Sequence, residues 1–406
     1  MGRVNIITGL DIGHDKLRMS AGELKDNGFN FLGASETDCS NGVKNGFIIN
    51  MDSVSEAIIK LLEDISAKTN ARINSVFVNI SGTQIRQEVA NSVITLPQRG
   101  YEITKRNIDD LIESCKIVSI PLDRHLLYLL PLEYVIDGQD GIKEPIGLCG
   151  SRLEAKVLII TAPFNQIQNI IKAVNSASLE VEEVVLSPLA NGNSIVSREA
   201  KKEGVLLIDF RTDLTEVAIF KNGDLVSFET IAKGQEDITD EIAARFNISL
   251  ESAEELKMKY GFLDISWQDS RNKEMIPLEW MGIRQDIVRG DLNRVISERL
   301  ELIFDSVMKK IKGVKNIKTI IKKGAVLTGA CVSMEGFLEA AAQKFGIPVT
   351  AGVLENKENP QGNSYITSLG LMKVGLEKIK TEKIRHRTGI FKTVYQKARA
   401  LLTEYF

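Results

Sequence analysis

The chain uses one figure twice, and that repetition limits what it can fold into. "NIITGLDIGHDKLRMSAGEL" near the start reads as apolar strand, acid, turn and strand, with Asp11 at the strand end. "LLIDFRTDLTEVAIF" at 206–220 repeats the outline, with Asp209 in the matching place. Each copy leads into helices. In "DSVSEAIIKLLEDISAKT" Val54, Ala57, Ile58, Leu61, Leu62 and Ile65 recur at helical spacing, and Ser53 with Glu56 reads as a capping box. After the second copy, Asn222-Gly223 marks a hairpin turn, and "DITDEIAARF" and "SLESAEELKMKYG" read as helices, the latter closed by Gly261. Two like α/β halves facing each other leave a cleft, where ligands usually sit.

Between 84 and 162 the texture changes to a small α+β unit: "ANSVITLP", "YLLPLEYVID" and "RLEAKVLIIT" as strands, "TKRNIDDLIESCKIVS" as a helix capped by Thr104. A chain of 406 residues is too long for one ordinary core, so several domains are expected. A net charge of −3 gives no overall pull toward nucleic acid, so any charged partner must meet a local patch. Cys39, Cys115, Cys149 and Cys331 form no CxxC pair and the three histidines lie apart, which argues against zinc. The usage fits a reducing cytoplasm, with structural disulfides as the open alternative. No signal peptide is legible. The richest apolar run, "HLLYLLPLEYVI", is interrupted by Pro131, so the chain is not expected to cross a membrane.

A phosphate-binding turn needs several backbone N–H groups aimed at one point, which glycine permits. Around Asp11 that chemistry is available: Gly9 and Gly13 bracket the acid, Lys16 and His14 can donate, and Asp11 can hold the water shell of Mg²⁺. An ordinary hairpin is the competing reading. Around Asp209 it is poorer. Phe210 to Glu216 contains no glycine, Asp213 and Glu216 would repel a triphosphate, and only Arg211, Thr212 and Thr215 could compensate. A hairpin packed for structure is the alternative there.

The C-terminal stretch "FKTVYQKARALLTEYF" is amphipathic. At ~100° per residue, Phe391, Val394, Tyr395, Ala398, Leu401, Leu402, Tyr405 and Phe406 share an arc of ~140°. From 383 to 399 there are six Lys or Arg, among them Arg385, Arg387 and Lys392, and no acid. Such a segment suits an anionic lipid interface. A terminal helix docked on the body is the other reading.

Taken in order, these segments resemble the FtsA family, actin-like proteins of bacterial cell division, over essentially the full length. "LDIGHDK" is similar to its first phosphate loop, and "LPLEYVIDGQDGIKEPIGLCGSRLEAKV" resembles its inserted 1C subdomain. "DITDEIA", "AEELKMKYG", "VLTGA" and "NPQGNSYITSLGLM" follow in family order. The resemblance implies an α/β, actin-like (ribonuclease H-like) two-lobed fold with an inserted SHS2-type α+β subdomain. The first lobe (1A) would comprise 1–83 and 163–200, and 1C would comprise 84–162. The second lobe (2A, with 2B at about 235–310) would span 201–375, followed by a linker at 376–390 and a membrane-targeting helix at 391–406.

It also implies ATP with Mg²⁺, contacted by Asp11 (also the metal residue), Gly13, His14, Lys16, Asp209, Arg211, Thr212, Gly234, Gly329 and Ala330. Glu254 and Lys257 would be the ribose and adenine contacts. The departures are Arg211 to Glu216 in place of a Gly/Thr-rich second loop, Gly234 followed by Gln235, Gly329-Ala330-Cys331, and His14 in the first loop. They lead to an expectation of weak or altered nucleotide binding and negligible turnover: a non-catalytic scaffold, at most a weak ATPase.

Implied partners are the FtsZ C-terminal peptide, with Arg294 and Arg299 as contacts, further copies of the chain in protofilaments, and other divisome proteins through 1C. An anionic membrane surface at the cytoplasmic face of the inner membrane would be met by Phe391, Val394, Tyr395, Leu401, Leu402, Phe406, Arg385, Arg387 and Lys392; nucleic acid is not expected. Competing readings are an ATP-dependent phosphotransferase or other actin-like ATPase, and an actin-like adaptor of a pilus or secretion system.

Overall fold

The computed structural model describes residues 6–25, 28–119, 121–264, 268–280, 283–314, 317–354 and 362–387. The doubled sequence figure becomes two five-stranded sheets of the same plan. In the first lobe the spatial order is Gly28–Asp38, Lys16–Lys25, Ile6–Ile12, Ser75–Ile80, Glu180–Leu186. In the second it is Asp224–Ile231, Thr215–Lys221, Val205–Phe210, Ala325–Thr328, Val349–Ala351. Each sheet is a three-stranded antiparallel meander extended by two parallel strands. Asp11 and Asp209 are each the penultimate residue of the central strand, opposite Arg18 and Glu216 respectively.

Central strands covered on both faces read as apolar runs. Val205–Phe210 is buried at every position. Its last residue, Phe210, meets Phe304 and Phe337 edge-on at ring-centroid distances of 5.9 and 5.2 Å, which fixes the start of the following turn. The Asn222-Gly223 hairpin forms as expected, with both residues at positive φ.

The helix read from Ser53 begins earlier, at Met51. Asn50 caps it by accepting from Ser53 N–H, so the capping side chain is an asparagine three residues upstream of the expected serine. The Ser53 hydroxyl meets the Cys39 thiol instead.

The inserted unit is a four-stranded sheet ordered Gln139–Ile142, Arg124–Ile136, Arg152–Pro163, Arg86–Thr95, with helix Lys105–Ser119 against it. Arg124 ties its base, donating to Thr161 Oγ1 and to the carbonyls of Gln84 and Thr161, each at 2.8 Å. Gln87 joins it to the second lobe: its carbonyl oxygen accepts from Phe228 N–H at 2.8 Å and its amide donates to Ser227 and Glu229.

Two expectations about the chain's end change. Helix Ile366–Arg387 packs on the first-lobe sheet, so residues 366–375 lie with that lobe rather than the second. It approaches closely because Gly9 has no side chain: a Cβ there would stand 2.0 Å from the Ser368 carbonyl. Ser20 and Ser368 hydroxyls share a 2.7 Å hydrogen bond across the contact. The expected linker at 376–390 is helical as far as Arg387, because Val374, Leu376 and Ile379 still find apolar partners on the sheet. Phe391, Lys392, Val394, Tyr395, Leu401, Leu402 and Phe406 lie outside the described residues. Arg385 and Arg387 are in the final turn of the helix.

Candidate functional site

The two central-strand turns face each other across the cleft, and the expected loop residues meet there. Arg211 lies at the centre. Its guanidinium donates to Asp11 Oδ1 at 3.0 Å and to Ser187 Oγ at 3.1 Å, and stands 3.7 Å from Glu216 Oε2. Asp209 accepts from Asn191 Nδ2 at 2.8 Å. Ser187 and Asn191 are one turn apart on helix Ser187–Ile195 and both are buried. Their i, i+4 spacing on a helix of small residues was the only sequence signal for them.

The remaining contacts run lobe to lobe. Thr212 Oγ1 donates to Asp15 at 3.2 Å, and Asn45 N–H donates to Asp213 Oδ2 at 2.5 Å. His14 stands 3.1 Å from Asp213 and 3.5 Å from Glu236. Asp213, read from sequence only as a repulsive charge, anchors its loop to the first lobe.

Burial sets the electrostatics. It pushes the Glu216 carboxyl up to about 8 and raises Asp209 too. It also works against the charge on Arg211, but Asp11, Glu216 and Asp209 more than restore it, and the guanidinium stays firmly protonated. The His14 imidazole is raised by the Asp213 hydrogen bond, against burial and helped by the charges of Asp213, Glu236 and Asp15.

A second cluster forms around Gln235, which sequence reasoning treated only as a missing glycine. Its amide donates to the Phe210 carbonyl, and its Oε1 accepts from Cys331 N–H at 3.2 Å and lies 3.1 Å from the thiol. Lys257 is buried, with Nζ 2.8 Å from Thr239 Oγ1, 2.5 Å from Glu254 and 3.4 Å from the Gln235 carbonyl. Glu254 also accepts from Thr239 at 2.5 Å. Gly329 and Ala330 form the turn after strand Ala325–Thr328.

Lys16 is not brought to the cleft cluster. It pairs with Glu36 at 2.7 Å and Asp38 at 3.9 Å on the neighbouring strand. Gly13 N–H closes the first hairpin on the Lys16 carbonyl. Arg294 pairs with Asp291 at 3.6 Å, and Arg299 with Glu241.

These residues do not fit a metal-bound triphosphate in the cleft. Asp11, the candidate metal residue, is engaged by Arg211. The N–H groups of Gln235 and Glu236, at the start of helix Glu236–Phe246, donate to the carbonyls of Arg211 and Thr212, and Gly234 N–H donates to Asp237. An anion would need those donors. The surviving glycines serve protein packing: a Cβ on Gly234 would stand 2.3 Å from the Thr212 carbonyl, and one on Gly329, at φ +119°, 2.1 Å from that of Phe210.

Two sheets of one strand order, joined by a buried helix and facing each other through paired acidic turns, define an actin-like protein. Among solved structures, the PilM–PilN type IV pilus biogenesis complex aligns with a TM-score of 0.65 at 15% identity, covering 92% of this chain and 99% of that one. MreB5 of Spiroplasma citri bound to ADP aligns at 0.54 and 12%, covering 93% and 98%. At such identities both speak for fold alone. Residues 82–161 match the model described as "SHS2 domain inserted in FTSA", and residues 206–370 match "Cell division protein FtsA". The cell division protein FtsA of Pseudomonas aeruginosa is 31% identical over 380 residues, covering 92% of this chain and 90% of that protein. The chain belongs to the FtsA family of cell division proteins.

Proposed function

We propose that the chain is a membrane-tethering adaptor of the bacterial division ring, binding the FtsZ C-terminal peptide and assembling into actin-like filaments at the cytoplasmic face of the inner membrane. The observation that carries this reading is the apolar–basic C-terminal sequence of Phe391, Val394, Tyr395, Leu401, Leu402 and Phe406 with Arg385, Arg387 and Lys392, on a body of the FtsA family. Each basic residue near an anionic surface adds ~1 kcal/mol at most, so apolar face and charges act together. Among the described residues no helix is long and apolar enough to cross a membrane.

For the peptide we favour the cleft of about 450 Å³ beside helix Arg289–Lys312, where Leu300, Phe304, Gln343 and Lys344 are joined by the acids Asp264 and Glu301, so its apolar wall rather than its charge would hold the peptide. Arg294 and Arg299 lie on the same helix but outside the cleft lining, Arg299 on the face that meets Glu241. Acidic residues of the peptide that extend beyond the cleft would have to compete for Arg294 and Arg299 with Asp291 and Glu241, which hold them now. Other divisome proteins would dock on the inserted subdomain. In this reading ATP with Mg²⁺ is secondary and turnover negligible, since bound phosphates would have to displace Arg211 from Asp11.

Co-sedimentation with anionic liposomes, with and without an FtsZ C-terminal peptide, tests it. The full chain should pellet and bring the peptide down. Deletion of 388–406, or Phe391→Glu with Leu402→Glu, should release it. Unchanged sedimentation of the double variant would refute the anchor, and a supernatant peptide beside pelleted protein would refute the adaptor role.

A further inference from the structure

We propose that Arg211 is a built-in counter-ion that clasps the two lobes together, taking the place of a metal–nucleotide bridge and leaving the cleft closed without ligand. Asp11, Asp209 and Glu216 bring three carboxyl groups into one buried region. Buried acids need a positive partner or must give up their charge. In a cleft of this kind a divalent cation or a side chain can supply that partner, and here the side chain is present. Asp11 belongs to the first lobe, Arg211 to the second, and Ser187 to the helix between them; one guanidinium reaches all three elements. Its planar fork spreads five donors over a rigid frame wide enough to meet separate groups, whereas an ammonium is a single compact point charge.

Three further contacts lie alongside and cross the same gap: Thr212 to Asp15, Asn45 to Asp213, and His14 between Asp213 and Glu236. The anion-binding donors of the second lobe are meanwhile turned onto protein carbonyls. Arg211, in a second loop without glycine, therefore acts as a covalently supplied joint in place of a ligand-dependent one. It makes Arg211 the residue that decides against MgATP.

Hydrogen–deuterium exchange on the full chain tests this, read at Asn45, whose N–H donates directly across the cleft. Wild type, Arg211→Gly and Arg211→Lys are compared without nucleotide and with millimolar MgATP. In wild type, Asn45 should be protected without nucleotide and change less than about twofold when MgATP is added. In Arg211→Gly its protection should fall by about tenfold or more. In Arg211→Lys it should fall while Phe220, in the second-lobe hairpin, keeps its protection.

A tenfold gain at Asn45 on adding MgATP to wild type would overturn the proposal. So would wild-type protection in either variant, or a uniform loss in both, which would make Arg211 a general folding residue. None of these outcomes depends on whether the tail holds liposomes, so the clasp and the adaptor reading stand or fall separately.

Discussion

Arg211 Nη2 lies 3.0 Å from Asp11 Oδ1, joining residues 200 positions apart in the chain. The pair links the two copies of the repeated strand-and-turn figure, and its side chains are 13% and 5% exposed. At that burial, removing one partner leaves the other uncompensated, which is costlier than losing a surface pair.

A double-mutant cycle measures this. Arg211→Ala should destabilise the protein by ~3–5 kcal/mol, because it leaves the buried Asp11 carboxylate without its partner. Combined with Asp11→Ala, the coupling energy should be ~1–3 kcal/mol. Urea unfolding of the four proteins gives the answer, and a coupling near zero would mean that the contact does not hold the lobes.

Gln235 gives an independent handle on the second cluster. Gln235→Ala leaves the Phe210 carbonyl and the Cys331 N–H without their partner, and should cost ~1–3 kcal/mol. Burial pushes the Cys331 thiol up to about 11, so it should react slowly with alkylating reagents in wild type and faster in the variant. Equal labelling rates would mean that Gln235 does not shield Cys331.

The His14–Asp213 contact should make stability fall with rising pH. His14 is raised from its ordinary 6.5, so its contribution is complete below 6.5 and is lost as pH climbs through the folded-state value. Burial pushes Asp213 up, but the His14 hydrogen bond and charge win and leave it below its ordinary 3.8; its contribution is complete above 3.8 and is lost as pH falls through the lowered value. The pair is strongest between those limits. Comparing wild type with His14→Gln about one unit below and about two units above pH 6.5 isolates it: the difference in unfolding free energy should shrink at the higher pH.

Gly9→Ala should cost ~1–3 kcal/mol through overpacking, since the new methyl would meet the Ser368 carbonyl. Gly28→Ala is the control, because nothing lies within 4 Å of its Cβ position. Equal stability of the two variants would mean that helix Ile366–Arg387 does not rest on the first-lobe sheet.

Local patterns carried much of the fold into the sequence. The doubled figure around Asp11 and Asp209 became two sheets of one strand order, and Asn222-Gly223 became the expected turn. Residues 366–375 were misassigned for a physical reason: Ile366 to Met372 is buried all round between the sheet and helix Ser187–Ile195, so no polar stripe reveals which lobe it serves. The site was legible as a place and less so as chemistry. Asp11, His14, Asp209, Arg211 and Thr212 do meet, but Arg211 faces carboxylates instead of a phosphate. Its partners Ser187 and Glu216 could be assigned only once folding had set them beside it. Lys16 looked available because Glu36 and Asp38 reach it only through strand pairing.

The close approach of Gly370 to Ala190 has a mechanical side. A Cβ on Gly370 would stand 2.0 Å from the Ala190 carbonyl, and the next residue, Asn191, is the one that grips Asp209. Tension drawn along the terminal helix toward residue 387 would be borne first by the first-lobe sheet, through Gly375, Leu376 and Ile379, and beyond them by the turn that braces the cleft. Traction at that end and the set of the jaws would thus meet at helix Ser187–Ile195.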